Sequence, residues 1–205
     1  MTVTACDDIQ VAQTMPGTTA DAALTVPALH EPVLEKGYFQ VYTGDGKGKT
    51  TAVLGLTVRA VGAGMRVYIG QFLKTSVTSE AKSLVGHFPE VTVEEYGNCR
   101  SMSIGSADEG EDGKPSAFER IAAVLLSGEY DMVVLDEINI AVYFNLISEQ
   151  EALELIELRP ENVELVFTGR RALPSFIERA DLVSEVVEVK HYYHQGVPAR
   201  RGIEY

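Results

Sequence analysis

The chain has 205 residues, 45% of them apolar and 23% charged, which excludes a largely disordered polypeptide and leaves material for one domain with a sizeable core. Its 17 Lys and Arg against 30 Asp and Glu give a formal net charge of −13, so a nucleic-acid partner is not expected and any anion site must be built locally. No apolar run approaches the roughly 18 residues needed to cross a bilayer, and Cys6 and Cys99 are too isolated for a disulfide framework or a zinc knuckle.

Residues 1–36 mix Thr, Ala, Asp and Pro without sustained apolar periodicity. No Lys or Arg precedes Lys36, so the basic stretch of a signal or transit peptide is absent and a cytoplasmic location is expected. This segment reads as a flexible arm, and residues 37–205 as the domain. Within the domain, a strand is expected over 38–42 and a helix over 50–61, stopped by Gly62 and Gly64. Strands follow over 66–73 and 91–95, then a Gly- and Ser-rich loop over 97–115 and a helix over 116–126. The run MVVL at 132–135 suits a parallel strand buried on both faces. Ser148 and Glu151 form a capping-box pattern for a helix that ends near Arg159 and Pro160. Strands over 163–167 and 182–189 flank a helical stretch over 174–180. Strands alternating with helices predict a doubly wound, mostly parallel α/β sheet in a single domain.

The first predicted strand runs into TGDGKGKTT at residues 43–51. Gly44, Gly46 and Gly48 let the backbone turn tightly and aim its N–H groups inward, while the following helix start adds a positive dipole end. Such a loop cradles a polyphosphate without a basic surface, with Lys49 reaching phosphate oxygens and the Thr50 hydroxyl binding Mg²⁺. Thr43 departs from the usual GxxxxGK[ST] spacing, which has glycine there. The acidic pair Asp136-Glu137 ends the MVVL strand at the ligand-binding edge of such a sheet, where a carboxylate can complete the coordination of a hard cation. These two signals point to nucleotide binding without separating a kinase, an NTPase, a switch protein or another transferase.

Taken together, TGDGKGKTTAVLGLTVRAVGAG, the QFLK at 71–74, VVLDEINIA, RPENVELVFTGR and KHYYHQGVPARRGIEY resemble the P-loop type of ATP:corrinoid adenosyltransferase, over residues 37–205. The variant glycine loop with threonine in place of the first glycine is itself part of that resemblance. The resemblance implies a P-loop NTPase-like, RecA-like fold and transfer of the 5′-deoxyadenosyl group of ATP to the cobalt(I) of a corrinoid, with release of triphosphate, in adenosylcobalamin synthesis or salvage. A P-loop kinase or ATPase, or a relative that binds ATP and corrinoid without transfer, are the competing readings; no motif for orienting a hydroxyl or water at the γ-phosphate is found.

By matching positions, the resemblance assigns the triphosphate to Gly44, Asp45, Gly46, Lys47, Gly48, Lys49, Thr50 and Thr51. It assigns Mg²⁺ or Mn²⁺ to Thr50 and Glu137, with Asp136 supporting them, and it makes Lys49 and Glu137 the catalytic pair. Asn139 and Arg170 are expected near the same edge. Some members carry a Phe and a Trp on the loop after the third strand, where they exclude an axial ligand from cob(II); this chain has no Trp. Tyr96, Asn98, Met102 and His191 are therefore the candidates for the corrinoid side, with Ile104 or a partner subunit's tail as alternatives. His191 and His194 are expected to pack in a loop and not to form a metal pair, and the lone Cys99 to be inert. The arm residues Leu29, Val33 and Leu34 are expected to order over a corrinoid pocket, of this or a neighbouring subunit, when both substrates bind. A homodimer and a flavoprotein reductase are the implied partners.

Overall fold

The computed structural model describes residues 30–74, 78–97 and 115–204. Its sheet has the strand order β3-β2-β4-β5-β1-β6 and is parallel throughout. The strands are β1 (Phe39–Thr43), β2 (Val67–Phe72), β3 (Val91–Tyr96), β4 (Met132–Asp136), β5 (Glu164–Thr168) and β6 (Leu182–Glu185). The helices are α1 (Lys49–Gly62), α2 (Ser79–His87), α3 (Ala117–Leu126), α4 (Ile138–Tyr143), α5 (Glu149–Leu158) and α6 (Pro174–Arg179), followed by a 3₁₀ turn at Tyr192–Gln195.

The continuous apolar run of β4 is explained by helices on both faces of the sheet. Val133 and Leu135 point into a core with Ile121, Leu155 and Phe176 from α3, α5 and α6. Met132 and Val134 point the other way, against Val53 of α1 and Leu84 of α2. Phe167 of β5 anchors the first core between Phe39 and Phe176, with ring centroids 4.9 and 5.6 Å away, both edge-to-face. Ser116 and Ser148 close reciprocal capping boxes with Glu119 and Glu151, which fixes where α3 and α5 begin.

Three local features differ from the sequence expectation. Helix α2 buries only Ala81 and Leu84, so its apolar periodicity is too sparse to read; its start is set by Thr78, whose hydroxyl accepts from Ala81 N at 3.2 Å. Helix α4 follows β4 with only Glu137 between them, in the left-handed conformation at φ 65°. Strand β6 stops at Glu185, four residues short of 189, because the chain beyond it turns to the glycine loop: Val186 N donates to Thr43 O and Val186 O accepts from Gly46 N. Most of the expected loop over 97–115 lies outside the described residues.

The last residues of the expected arm are fixed at the opposite end of the sheet from that loop. Asp131, just before β4, is fully buried and accepts from Val33 N at 2.8 Å and Arg66 N at 2.9 Å, while His30 Nε2 lies 2.6 Å away. Within this subunit Val33 is therefore tied at the end of the sheet away from the glycine loop, and Leu29 falls outside the described residues. Burial pushes the Asp131 carboxyl up, but the bonds from Val33 N, Arg66 N and His30 outweigh it and hold the group below its ordinary range. Asp131→Ala should lower unfolding free energy by about 2–4 kcal/mol in urea titrations at neutral pH. Because the folded-state value is depressed, the wild-type advantage should be present above the ordinary aspartate range and vanish as pH falls through the folded value.

Candidate functional site

The glycine loop connects β1 to α1 and is shaped by close backbone approach. Gly44 and Gly48 hold φ values of 93° and 127°, which side chains rarely tolerate. A Cβ on Gly44 or Gly46 would come within 2.5 or 2.8 Å of the Val186 carbonyl oxygen, and Gly46 N donates to that same oxygen at 2.7 Å. Lys49, the first residue of α1, is buried and folds back under the loop, donating to Gly44 O at 2.6 Å and Gly46 O at 2.8 Å. Burial lowers its pKa, Arg170 adds to that, and Glu137, Asp45 and Asp136 oppose it. Thr43 has a structural use: its hydroxyl accepts from Ala172 N at 3.2 Å and ties the loop entrance to the segment after β5.

The acidic pair divides into a buried and a cleft-facing member. Asp136 is 1% exposed, and its Oδ1 accepts from the Thr50 hydroxyl at 3.0 Å and the Thr168 hydroxyl at 2.7 Å. Among the described residues its Oδ2 has no hydrogen-bond partner, and it lies 3.4 Å from Lys74 Nζ. Glu137 lines the cleft, its backbone N donating to the Thr168 hydroxyl at 2.9 Å. Burial raises the Glu137 carboxyl, Asp136 raises it further, and Lys74, Lys49 and Arg170 pull it back. β5 stands between β1 and β4, so its terminal Thr168 is placed to join the two loops.

The resulting cleft encloses about 810 Å³. Of the expected residues, it is lined by Gly46, Lys47, Gly48, Lys49, Thr50 and Thr51, and also by Glu137, Arg170 and His191. Gly44 and Asp45 sit at the loop entrance, with Arg170 Nε 3.9 Å from Asp45 Oδ1. Asn139 is buried outside the lining, donating from Nδ2 to Gly169 O at 2.9 Å, so it shapes the turn that carries Arg170. Backbone N–H groups at a helix start, together with three lysines, an arginine and carboxylates lining one cleft, suit a polyanion with a hard cation.

Of the two corrinoid candidates among the described residues, His191 lines the cleft and Tyr96 does not. Tyr96 ends β3 in a different network: its hydroxyl meets those of Tyr68 and the Glu94 carboxylate, and its ring lies 5.3 Å from Phe72. Asn98 and Met102, with Cys99 and Ile104, lie outside the described residues. His191 lines the cleft and caps the 3₁₀ turn, its Nδ1 accepting from Tyr193 N, whereas His194 turns to Glu188 at 2.6 Å. Among the described residues no group of three His, Cys, Asp or Glu is placed to hold a metal ion. Sequence reasoning missed roles for Lys74, Thr168 and Ile203; Lys74 and Thr168 were visible only inside QFLK and FTGR, with no chemistry of their own to read.

The model of the ATP:corrinoid adenosyltransferase BtuR/CobO/CobP family matches residues 35–205. The chain belongs to this family of enzymes. A relative from Pseudomonas aeruginosa named corrinoid adenosyltransferase is 35% identical over 177 residues, covering 83% of this chain and 85% of its own. Relatives of the same name from a Sinorhizobium species and from Escherichia coli K12 are each 34% identical, covering 83% of this chain and 81% and 87% of their own. No helix among the described residues is long and apolar enough to cross a membrane.

The close approach at Gly46 makes a stability prediction. Gly46→Ala should cost about 1–3 kcal/mol by chemical denaturation, since the methyl meets backbone that cannot turn aside. Gly55→Ala, on exposed α1 with nothing within 4 Å, should instead be neutral or stabilise by up to about 1 kcal/mol.

Proposed function

We propose that residues 37–205 transfer the 5′-deoxyadenosyl group of ATP to the cobalt(I) of a corrinoid and release triphosphate. The observation that carries this reading is the single cleft in which the glycine loop, Lys49 and Thr50 face Glu137, in a chain of this family. The cobalt(I) electron pair forms the bond to C5′ as the C5′–O5′ bond breaks, and the pair from that bond leaves on the triphosphate. Charge therefore gathers on the leaving group, and the chain's task is to stabilise it where it develops.

Loop N–H groups, Lys47, Lys49 and Arg170 surround the place for that charge. Lys49 donates to its own loop carbonyls, so the entering phosphates take over a donor already aimed into the loop. The residues also fit a divalent cation, Mg²⁺ or Mn²⁺: the Thr50 hydroxyl and the Glu137 carboxylate would hold it, while Asp136 fixes Thr50 from behind and keeps a buried oxygen without a hydrogen bond. When bound, such an ion shares the negative charge of the leaving triphosphate. The nucleophile must arrive as cobalt(I), which supports a reductase as partner, and we assign that role to a flavoprotein. We place the reaction in the cytoplasm and in a homodimer, both resting on the family resemblance.

Incubation with ATP, Mg²⁺ and chemically reduced cobalamin should produce the adenosylcobalamin spectrum with stoichiometric triphosphate; phosphate release without corrinoid would replace this reading with an ATPase. Lys49→Ala should abolish calorimetric ATP binding, whereas Thr50→Ala should keep much of the affinity and lose metal dependence and turnover. Glu137→Gln should keep its circular-dichroism spectrum, lose at least about tenfold in kcat and recover partly at higher Mg²⁺ or Mn²⁺.

A further inference from the structure

One wall of the cleft comes from an unexpected part of the chain. Gly202, Ile203 and Glu204 line it, and the Ile203 carbonyl accepts from Lys47 Nζ at 2.9 Å. Lys47 is an exposed side chain on a flexible stem with three donors, and among the described residues its head is held by this one hydrogen bond.

The turn that presents this carbonyl is closed from several directions. Ile203 N and Glu204 N both donate to Arg200 O, with Gly202 at φ 77°. The Glu204 carboxylate accepts from Arg200 N at 2.7 Å and from the Arg200 guanidinium at 3.2 and 3.3 Å. It also accepts from the Tyr192 hydroxyl, and the guanidinium lies over the Tyr192 ring at 5.0 Å. Tyr192 in turn opens the 3₁₀ turn whose capping residue, His191, lines the same cleft. Four constraints meet on one carboxylate, and the group they hold faces the glycine loop.

We propose that Glu204 is a positioning residue for the triphosphate: it closes the turn whose Ile203 carbonyl fixes the Lys47 ammonium at the cleft wall. One ammonium donor is spent on Ile203 and two remain for phosphate oxygens. A cation fixed before the ligand arrives loses less freedom on binding than one on a free stem, so the gain appears as affinity for phosphate. The inference rests on the proposed function, because it takes the cleft's ligand to be the triphosphate of ATP. It gives a role to two residues that never touch each other's side chains.

The test is a double-mutant cycle read by calorimetry with inorganic triphosphate and with ATP. Lys47→Ala should raise Kd for both about tenfold, or 1.4 kcal/mol, and Glu204→Ala should raise both about three- to tenfold. The double variant should be no weaker than Lys47→Ala alone, because without Lys47 the turn has nothing to position. Glu204→Gln, which keeps an acceptor for Tyr192 and Arg200 N, should recover part of the loss. Multiplying effects in the double variant, or an unchanged Kd in Glu204→Ala, would overturn the assignment. If Glu204→Ala is unfolded by circular dichroism, Tyr192→Phe takes its place in the cycle with the same non-additivity expected. A wild-type protein that binds neither ligand would refute the proposed function and this inference together. Wild-type binding with an additive cycle would refute only this inference.

Discussion

The site depends on one buried carboxylate. Asp136 must find partners at the end of β4, because an uncompensated charge taken from water costs several kcal/mol. Its partners come from three other elements: Thr50 at the start of α1, Thr168 at the end of β5 and Lys74 just after β2. Satisfying the charge therefore sets the mutual position of the glycine loop, the acidic pair and the turn that carries Arg170. Thr168 serves twice, donating to Asp136 and accepting from Glu137 N, and so holds Glu137 in its left-handed conformation facing the cleft. Backbone strain at Glu137 and a buried charge at Asp136 are both tolerated because each is held by the same hydroxyl.

The second constraint is charge. A chain with a net charge of −13 has no basic surface to draw an anion in, so attraction must be short-ranged. The groups on hand for the proposed anion site are backbone N–H groups at the start of α1 and a few cations lining one cleft. Lys49 shows how such cations are kept: burial alone would favour the neutral amine, and two carbonyl acceptors with nearby carboxylates oppose that. The packing of Val186 against Gly44 and Gly46 then fixes the loop from the outer side, so its shape is set before any ligand arrives.

Much of this was legible in the sequence, for identifiable reasons. The glycine loop, the MVVL strand and the two serine caps are local signals, each written in adjacent residues. Helix α2 was not legible because only two of its positions face the core, and α4 because a strand runs into it with one residue between. The shortening of β6 was hidden because its cause is a partner far away in sequence, the Gly46 amide. Thr43 is instructive. Read locally it is a departure from a spacing rule, yet in space its hydroxyl ties two loops together. Tyr96 is the converse case: its hydroxyl joins Tyr68 and Glu94, a network that no local pattern in the sequence announces.

The two edges of the sheet carry the same device with different completion. Asp131 before β4 and Asp136 at its end are both buried aspartates that gather separate segments around one strand. At Asp131 both oxygens have hydrogen-bond partners: Val33 N on one, Arg66 N and His30 on the other. At Asp136 one oxygen takes two hydroxyls, and the other, among the described residues, has the Lys74 ammonium at 3.4 Å and no hydrogen bond. A buried acid with every oxygen hydrogen-bonded needs nothing more than a fold to explain it. A buried acid with one oxygen held by an ion pair alone carries a standing cost, and such costs persist where function uses them. That oxygen is at the end of the strand with the glycine loop, Thr50 and Glu137, and the proposed cation held by Thr50 and Glu137 would reduce that cost by adding positive charge beside it.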